Sequence, residues 1–160
     1  EVEVFAFIKI LLIALGIKTL FLIKDFDWYE TIGMLISIFF LALIDNIVSM
    51  IDADPLLKGV TLSGGEPFMQ AKKLVKLLNK INNKELNVIT YTGFTYEELI
   101  EKADEANGFL ELLKASDILI DGKFELDKKQ EGLKFRGSSN QRSIDIKKTM
   151  EIGKVVEYEF

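Results

Sequence analysis

Three short apolar segments each run into a glycine with a polar group beside it. GVTLSGGEPF reaches Gly64-Gly65 with Glu66 next, NVITYTG reaches Gly93 behind Thr92, and SDILIDGKF places Gly122 between Asp121 and Lys123. Glycine lets backbone approach a ligand closely because no Cβ stands in the way. A carboxylate at Glu66 or Asp121 can hold an ammonium or a ribose hydroxyl, while Lys123 can meet a carboxylate. Taken singly, these are ordinary turn chemistry, since Gly-Gly and Asp-Gly are common turn pairs. The sequence contains no cysteine and no histidine. Zinc fingers, disulfide frameworks, thiol nucleophiles and histidine general bases are excluded from it, and neither a metal ligand set nor a catalytic residue can be named.

The elements that must position these loops alternate in type. Residues 58–65 read as a strand ending in a glycine turn, and 67–83 as a helix with Leu74, Leu77, Leu78 and Ile81 on its apolar face. Residues 87–93 form the next strand. Residues 95–115 follow as a helix, opened by Thr95 with Glu98 three positions on, a capping box. Residues 116–124 make a third strand, followed by a polar loop through RGSSNQR and a tail ending in VVEYEF. Strand and helix in alternation predict an α/β fold with a parallel sheet. The carboxyl ends of adjacent strands in such a sheet are where ligands bind.

The first 44 residues differ in character. FAFIKILLIALGIKTLFLI (5–23) and TIGMLISIFFLALI (31–44) are almost wholly apolar, separated by KDFDWYE. Neither shows clean amphipathic periodicity. The first is long enough to span a bilayer, with Lys9 and Lys18 placed to reach its surfaces, and the second is short for that purpose. The acidic start and the lack of a small-residue cleavage site argue against a signal peptide. From about Asp45 the composition becomes that of an ordinary globular domain, so the chain divides into an apolar segment, 1–44, and an α/β domain, 45–160. Net charge is −5 and the 20 lysines and arginines form no dense basic patch, which excludes a nucleic-acid partner. The chain opens at Glu1 and not at methionine, as a fragment would.

Four segments in order, GVTLSGGEPFMQ, NVITYTGFTYEEL, SDILIDGKFE and KFRGSSNQRSIDIKK, resemble the activating proteins of anaerobic ribonucleoside-triphosphate reductases, a family of radical S-adenosylmethionine enzymes. The resemblance runs from about Asp45 to Glu151. It implies a partial parallel (βα) barrel of the radical S-adenosylmethionine type. It implies that Gly64, Gly65, Glu66 and Pro67 lie against the methionine part of S-adenosylmethionine, their backbone and acidic group receiving its amino nitrogen. Thr92, Gly93, Asp121 and Lys123 would surround the same ligand. Arg136 to Arg142 match a stretch typical of the family without a role attached. The family's chemistry uses a [4Fe–4S] cluster on three cysteines spaced C-x₃-C-x₂-C. One electron from the cluster cleaves the sulfonium, and the 5′-deoxyadenosyl radical takes a hydrogen from a glycine of the partner, the reductase large subunit. A flavodoxin or ferredoxin as electron donor and a cytoplasmic location are implied as well. Pyruvate formate-lyase activating enzymes share the glycine loops, but YTGF and RGSSNQR favour the reductase partner.

Counting back from Gly64, the family's cysteines fall at roughly residues 20–30, where this chain reads LFLIKDFDWYE. Three readings account for that. Residues before about 45 are translated out of frame from an AT-rich gene, since codons with a central T encode apolar residues. Alternatively, they form a membrane hairpin, the one circumstance in which a membrane is a partner. Or they complete the core of a domain that has lost catalysis. The last two leave a non-catalytic module that binds S-adenosylmethionine or the reductase.

Overall fold

The computed structural model describes residues 28–160. The apolar run at 5–23 lies outside the described residues, as does most of the 20–30 stretch. The chain divides into two units, residues 1–43 and 44–160. Helix α1 covers Trp28–Ala53. In the first unit its Leu35, Ile36 and Leu43 are exposed. Among the described residues no helix is long and apolar enough to cross a membrane.

The second unit is a mixed α/β domain. Its elements are β1 (Gly59–Leu62), α2 (Ala71–Lys80) after a 3₁₀ turn at Pro67–Gln70, β2 (Asn87–Tyr91), α3 (Tyr96–Lys102), α4 (Phe109–Ala115), β3 (Ile118–Asp121), β4 (Arg142–Asp145) and α5 (Ile146–Ile152). The sheet order is β1-β2-β3-β4. The first three strands are parallel, with Leu62 opposite Thr90 and Tyr91 opposite Ile120. β4 runs antiparallel to β3, pairing Asp121 with Arg142. All four residues of β3 are buried, as expected of an inner strand covered on both faces.

The core gathers Phe68, Leu99, Leu112, Leu113, Leu119 and Ile144, all at most 1% exposed. Phe68 meets Phe109 edge to face, with ring centroids 5.4 Å apart. The end of α1 joins this core through Ile44, Val48 and Ile51, whose spacing puts them on one helical stripe. Asp52 fastens it by accepting from the Asn82 backbone N–H at 3.0 Å and side-chain amide at 2.7 Å.

Several features depart from the expected elements: the helix expected over 67–83 is a 3₁₀ turn followed by the shorter α2, and α5 falls where only a tail was expected. The helix expected over 95–115 is two helices. Its capping box forms as expected, but Asp104 Oδ1 accepts from the Ala106 and Asn107 amides, and Gly108 turns left-handed at φ 76°. The RGSSNQR loop leads into β4, a strand of mostly polar side chains.

Candidate functional site

The carboxyl ends of β1, β2 and β3 lie side by side because the strands are parallel neighbours, and the three glycine loops therefore converge. Gly64 and Gly65 both have positive φ, 84° and 57°, a conformation that side chains with a Cβ rarely adopt. A Cβ on either would meet nothing within 4 Å, so this turn presents bare backbone to open space.

Glu66 caps the 3₁₀ turn by accepting from the Phe68 amide at 3.1 Å. The same carboxylate accepts from Thr92 Oγ1 at 2.9 Å and from the Gly93 amide at 2.9 Å. Three donors converge on it. Thr92 is almost fully buried, and its hydroxyl oxygen also accepts from the Phe94 amide. Lys123 passes alongside, its Cγ 3.7 Å from where a Cβ on Gly93 would stand. A cavity of about 180 Å³ opens at this junction, lined by Gly64, Gly65, Pro67, Thr92 and Gly93. Tyr91, Gly122, Phe124 and Gln141 complete its wall. A wider cleft of about 580 Å³ lies over the helices, among Tyr96, Ile100, Leu110 and Met150. Converging backbone and a carboxylate at the carboxyl ends of neighbouring parallel strands make this junction the candidate site.

Asp121 is placed differently from the other residues singled out in the sequence. It is 1% exposed, and its carboxylate accepts from Arg142 through Nε at 3.0 Å and through a guanidinium nitrogen, and from the Tyr96 amide at 2.8 Å. Arg142 in turn grips Glu97 with two bonds, at 3.1 and 2.7 Å. Its pKa is pushed above that of an ordinary guanidinium, first by the bond to Asp121 and then by the bond to Glu97. The Arg142 bond likewise holds Glu97 below the usual carboxylate range. The network ties β3, β4 and the start of α3 together beneath the Gly122 loop.

Gln141 lies in the Arg136 to Arg142 stretch, to which the sequence attaches no role, and it organises that loop. It is buried, accepts from the Gly137 and Ser138 amides at 2.8 and 3.3 Å, and donates to the Gly122 carbonyl at 3.0 Å. Asn140 donates to the Lys123 carbonyl at 2.8 Å. The RGSSNQR stretch therefore braces the third glycine loop, and Arg136 takes part by donating to the Gln141 carbonyl at 3.1 Å.

A family model described as a 4Fe-4S single cluster domain matches residues 33–144, well over half of the chain. The chain belongs to that family. Among individual proteins it is similar to the anaerobic ribonucleoside-triphosphate reductase-activating protein of Pasteurella multocida, 41% identical over 91 residues, which cover 52% of this chain and 53% of that protein. It is also similar to the proteins of the same name from Vibrio cholerae, 33% over 88 residues, and Escherichia coli K12, 33% over 89, each match covering 52% of this chain and 53% of the relative. The chain spans about half the length of the curated relatives it matches. No solved structure matches it.

The donor set does not fit the cluster that gives the family its name. Thiolates hold such clusters, and the sequence has none. Among the described residues, no group of three or more carboxylates is placed to hold a metal ion.

Proposed function

We propose that residues 45–160 are the S-adenosylmethionine-binding part of an activating protein for the anaerobic ribonucleoside-triphosphate reductase, which places a glycyl radical on the reductase large subunit. The observation that carries this reading is the Glu66 bridge at the carboxyl ends of β1 and β2, in a chain whose relatives bear that name. In this reading the strands belong to a partial (βα) barrel of the radical S-adenosylmethionine type, and the protein works in the cytoplasm with a flavodoxin or ferredoxin as electron donor.

The chain's own residues bind and orient. The left-handed Gly64-Gly65 turn offers carbonyls to the ligand's ammonium, and Glu66, held by three protein donors, adds negative charge beside it. Lys123 meets the ligand's carboxylate. Pro67, Thr92 and Gly93 shape the floor. Asp121 contributes by anchoring the Gly122–Lys123 loop through Arg142. Residues 1–32, which the family match does not reach, stand outside this function.

A second reading, a module that binds S-adenosylmethionine or the reductase without redox chemistry, is favoured by the absence of every cysteine. Titration of the 160-residue chain with S-adenosylmethionine tests what both share, and pull-down of the reductase large subunit tests the partner. Saturable binding of the ligand that is lost in Glu66→Ala supports the site. No uptake by the unaltered chain overturns it.

A further inference from the structure

We propose that residues 154–160 form a releasable strap that sets the third glycine loop, with Phe160 as its catch on Phe135; for the ligand this loop would serve, the inference rests on the reading above. After α5 the chain turns back along the outer edge of β4. The Tyr158 amide donates to the Ser143 carbonyl at 2.7 Å, the Asp145 amide donates to the Val156 carbonyl at 2.9 Å, and Glu157 stands opposite Ile144. Covering a sheet edge in this way satisfies its main-chain groups. The strap ends in two rings. Tyr158 meets Phe160 edge to face at 5.0 Å, and Phe160 stacks on Phe135 at 4.5 Å. Lys134 donates to the Phe160 main-chain oxygen at 2.8 Å.

Among the described residues, Phe135 is the one residue other than glycine with a positive φ, 59°. A side chain with a Cβ resists that left-handed backbone, so contacts from outside the residue must hold it. Two do. The Phe160 ring lies on its side chain, and Tyr91, the last residue of β2, donates its hydroxyl proton to its carbonyl at 2.7 Å. The next residue, Arg136, donates to the Gln141 carbonyl at 3.1 Å, and the Gln141 side chain donates to the Gly122 carbonyl at 3.0 Å. A continuous run of contacts therefore leads from Phe160 through Phe135, Arg136 and Gln141 to Gly122. Phe135 is 51% exposed and Phe160 39%, so the catch opens without disturbing the core, and the strained backbone favours opening. Once released, Phe135 relaxes to negative φ, Arg136 loses its place on the Gln141 carbonyl, and the Gly122 loop loosens.

The test uses the full 160-residue chain and amide hydrogen exchange followed residue by residue by NMR. The Gly122 amide, bonded to the Phe94 carbonyl at 2.9 Å, reports on the loop, and the Leu112 amide, bonded to the Gly108 carbonyl at 3.0 Å, reports on the core. Phe160→Ala is expected to speed exchange at Gly122 roughly tenfold, the population change that a left-handed residue with a Cβ drives, and to leave Leu112 unchanged. Phe160→Tyr should match the parent. Phe135→Ala loses the stack but keeps the strained backbone, so it should behave as Phe160→Ala does. Phe135→Gly also loses the stack, yet glycine takes a φ of 59° freely, so its Gly122 amide should exchange as in the parent. A residue that served only to pack would give the reverse order, with glycine the worse. Titration with S-adenosylmethionine should follow the exchange, weaker in Phe160→Ala and parental in Phe135→Gly. Unchanged Gly122 exchange in Phe160→Ala, or faster exchange in Phe135→Gly than in Phe135→Ala, overturns the strap. Faster exchange with unaltered affinity overturns its control of the site. If the parent takes up no S-adenosylmethionine, the ligand reading fails, and the exchange measurements alone decide the strap.

Discussion

Thr92 Oγ1 donates to Glu66 Oε1 across 2.9 Å, fastening the loop after β1 to the loop after β2. The second carboxylate oxygen takes the Gly93 amide, so one side chain sets the separation of two of the three glycine loops. Glu66→Ala removes the acceptor from a buried hydroxyl and from two amides. Bonds to a charged group contribute about 1.5–3 kcal/mol each when shielded, but this carboxylate is partly in water, so a loss of about 1–2 kcal/mol in urea unfolding is expected. Thr92→Val removes both the donor to Glu66 and the acceptor of the Phe94 amide, and should cost about 1–2 kcal/mol. If Glu66→Ala and Thr92→Val unfold at the same urea concentration as the parent, the bridge does not form in solution.

Arg142 should matter more for stability than any other surface cation. Asp121 is buried at 1% exposure, and Arg142 supplies two of its three donors. Arg142→Met leaves that carboxylate facing one amide, and breaking a buried pair from one side typically costs about 3–5 kcal/mol. Arg142→Lys keeps the charge but loses the planar fork that meets Asp121 and Glu97 together, so it should recover only part of the loss. Thermal unfolding of the two variants checks this: equal transition temperatures for Arg142→Met and the parent would remove Arg142 from the account.

Acid should loosen the domain through two carboxylates. Glu97 is held below its ordinary value of 4.5 chiefly by the Arg142 bond, and Asp145 below its ordinary 3.8 chiefly by the Lys148 bond. A depressed folded pKa means that the folded state binds fewer protons than the unfolded chain in that range. The stabilisation is therefore complete above about pH 5 and declines as pH falls through the folded values. Urea midpoints measured from pH 6 to pH 3 should fall for the parent, and less steeply for Glu97→Gln, which has already lost the charge. A parallel decline in both would place the acid sensitivity elsewhere.

The parallel half of the sheet was legible in the sequence because β1, β2 and β3 announce themselves locally. Each is a β-branched run stopped by glycine, and each loop carries its polar neighbour. β4 was not legible, since Arg142, Ser143 and Asp145 form a strand only through partners distant in sequence: the Asp121 carboxylate and the pairing of Ile144 with Leu119. The break in the 95–115 helix has a local signal, Asp104 and Asn107 before Gly108, downstream of the capping box that marks only the helix start. Within the site, Glu66, Thr92, Gly93 and Lys123 converge, whereas the ligand-facing use expected of Asp121 cannot be read from residue type, because an aspartate beside a glycine looks the same whether it faces ligand or arginine.

Iron chemistry supplies the sharpest separation between the chain and its relatives. Cluster assembly needs thiolates, and with none in 160 residues no arrangement of the described carboxylates replaces them. After anaerobic incubation with iron, sulfide and reductant, the chain is expected to remain colourless, with iron at background, and to release S-adenosylmethionine uncleaved. A brown product with about four irons per chain would overturn the donor-set argument. The gene offers a complementary test. Under the reading-frame account, the DNA upstream of codon 45 should encode C-x₃-C-x₂-C in another frame, about 20 codons before Asp45, where a cluster loop feeding these strand ends would fall. A chain rebuilt in that frame should turn brown and cleave S-adenosylmethionine under reduction, with Glu66→Ala lowering cleavage. If no frame encodes the motif, the radical-generating function has no source in this gene, and binding at the glycine loops is the activity left to it.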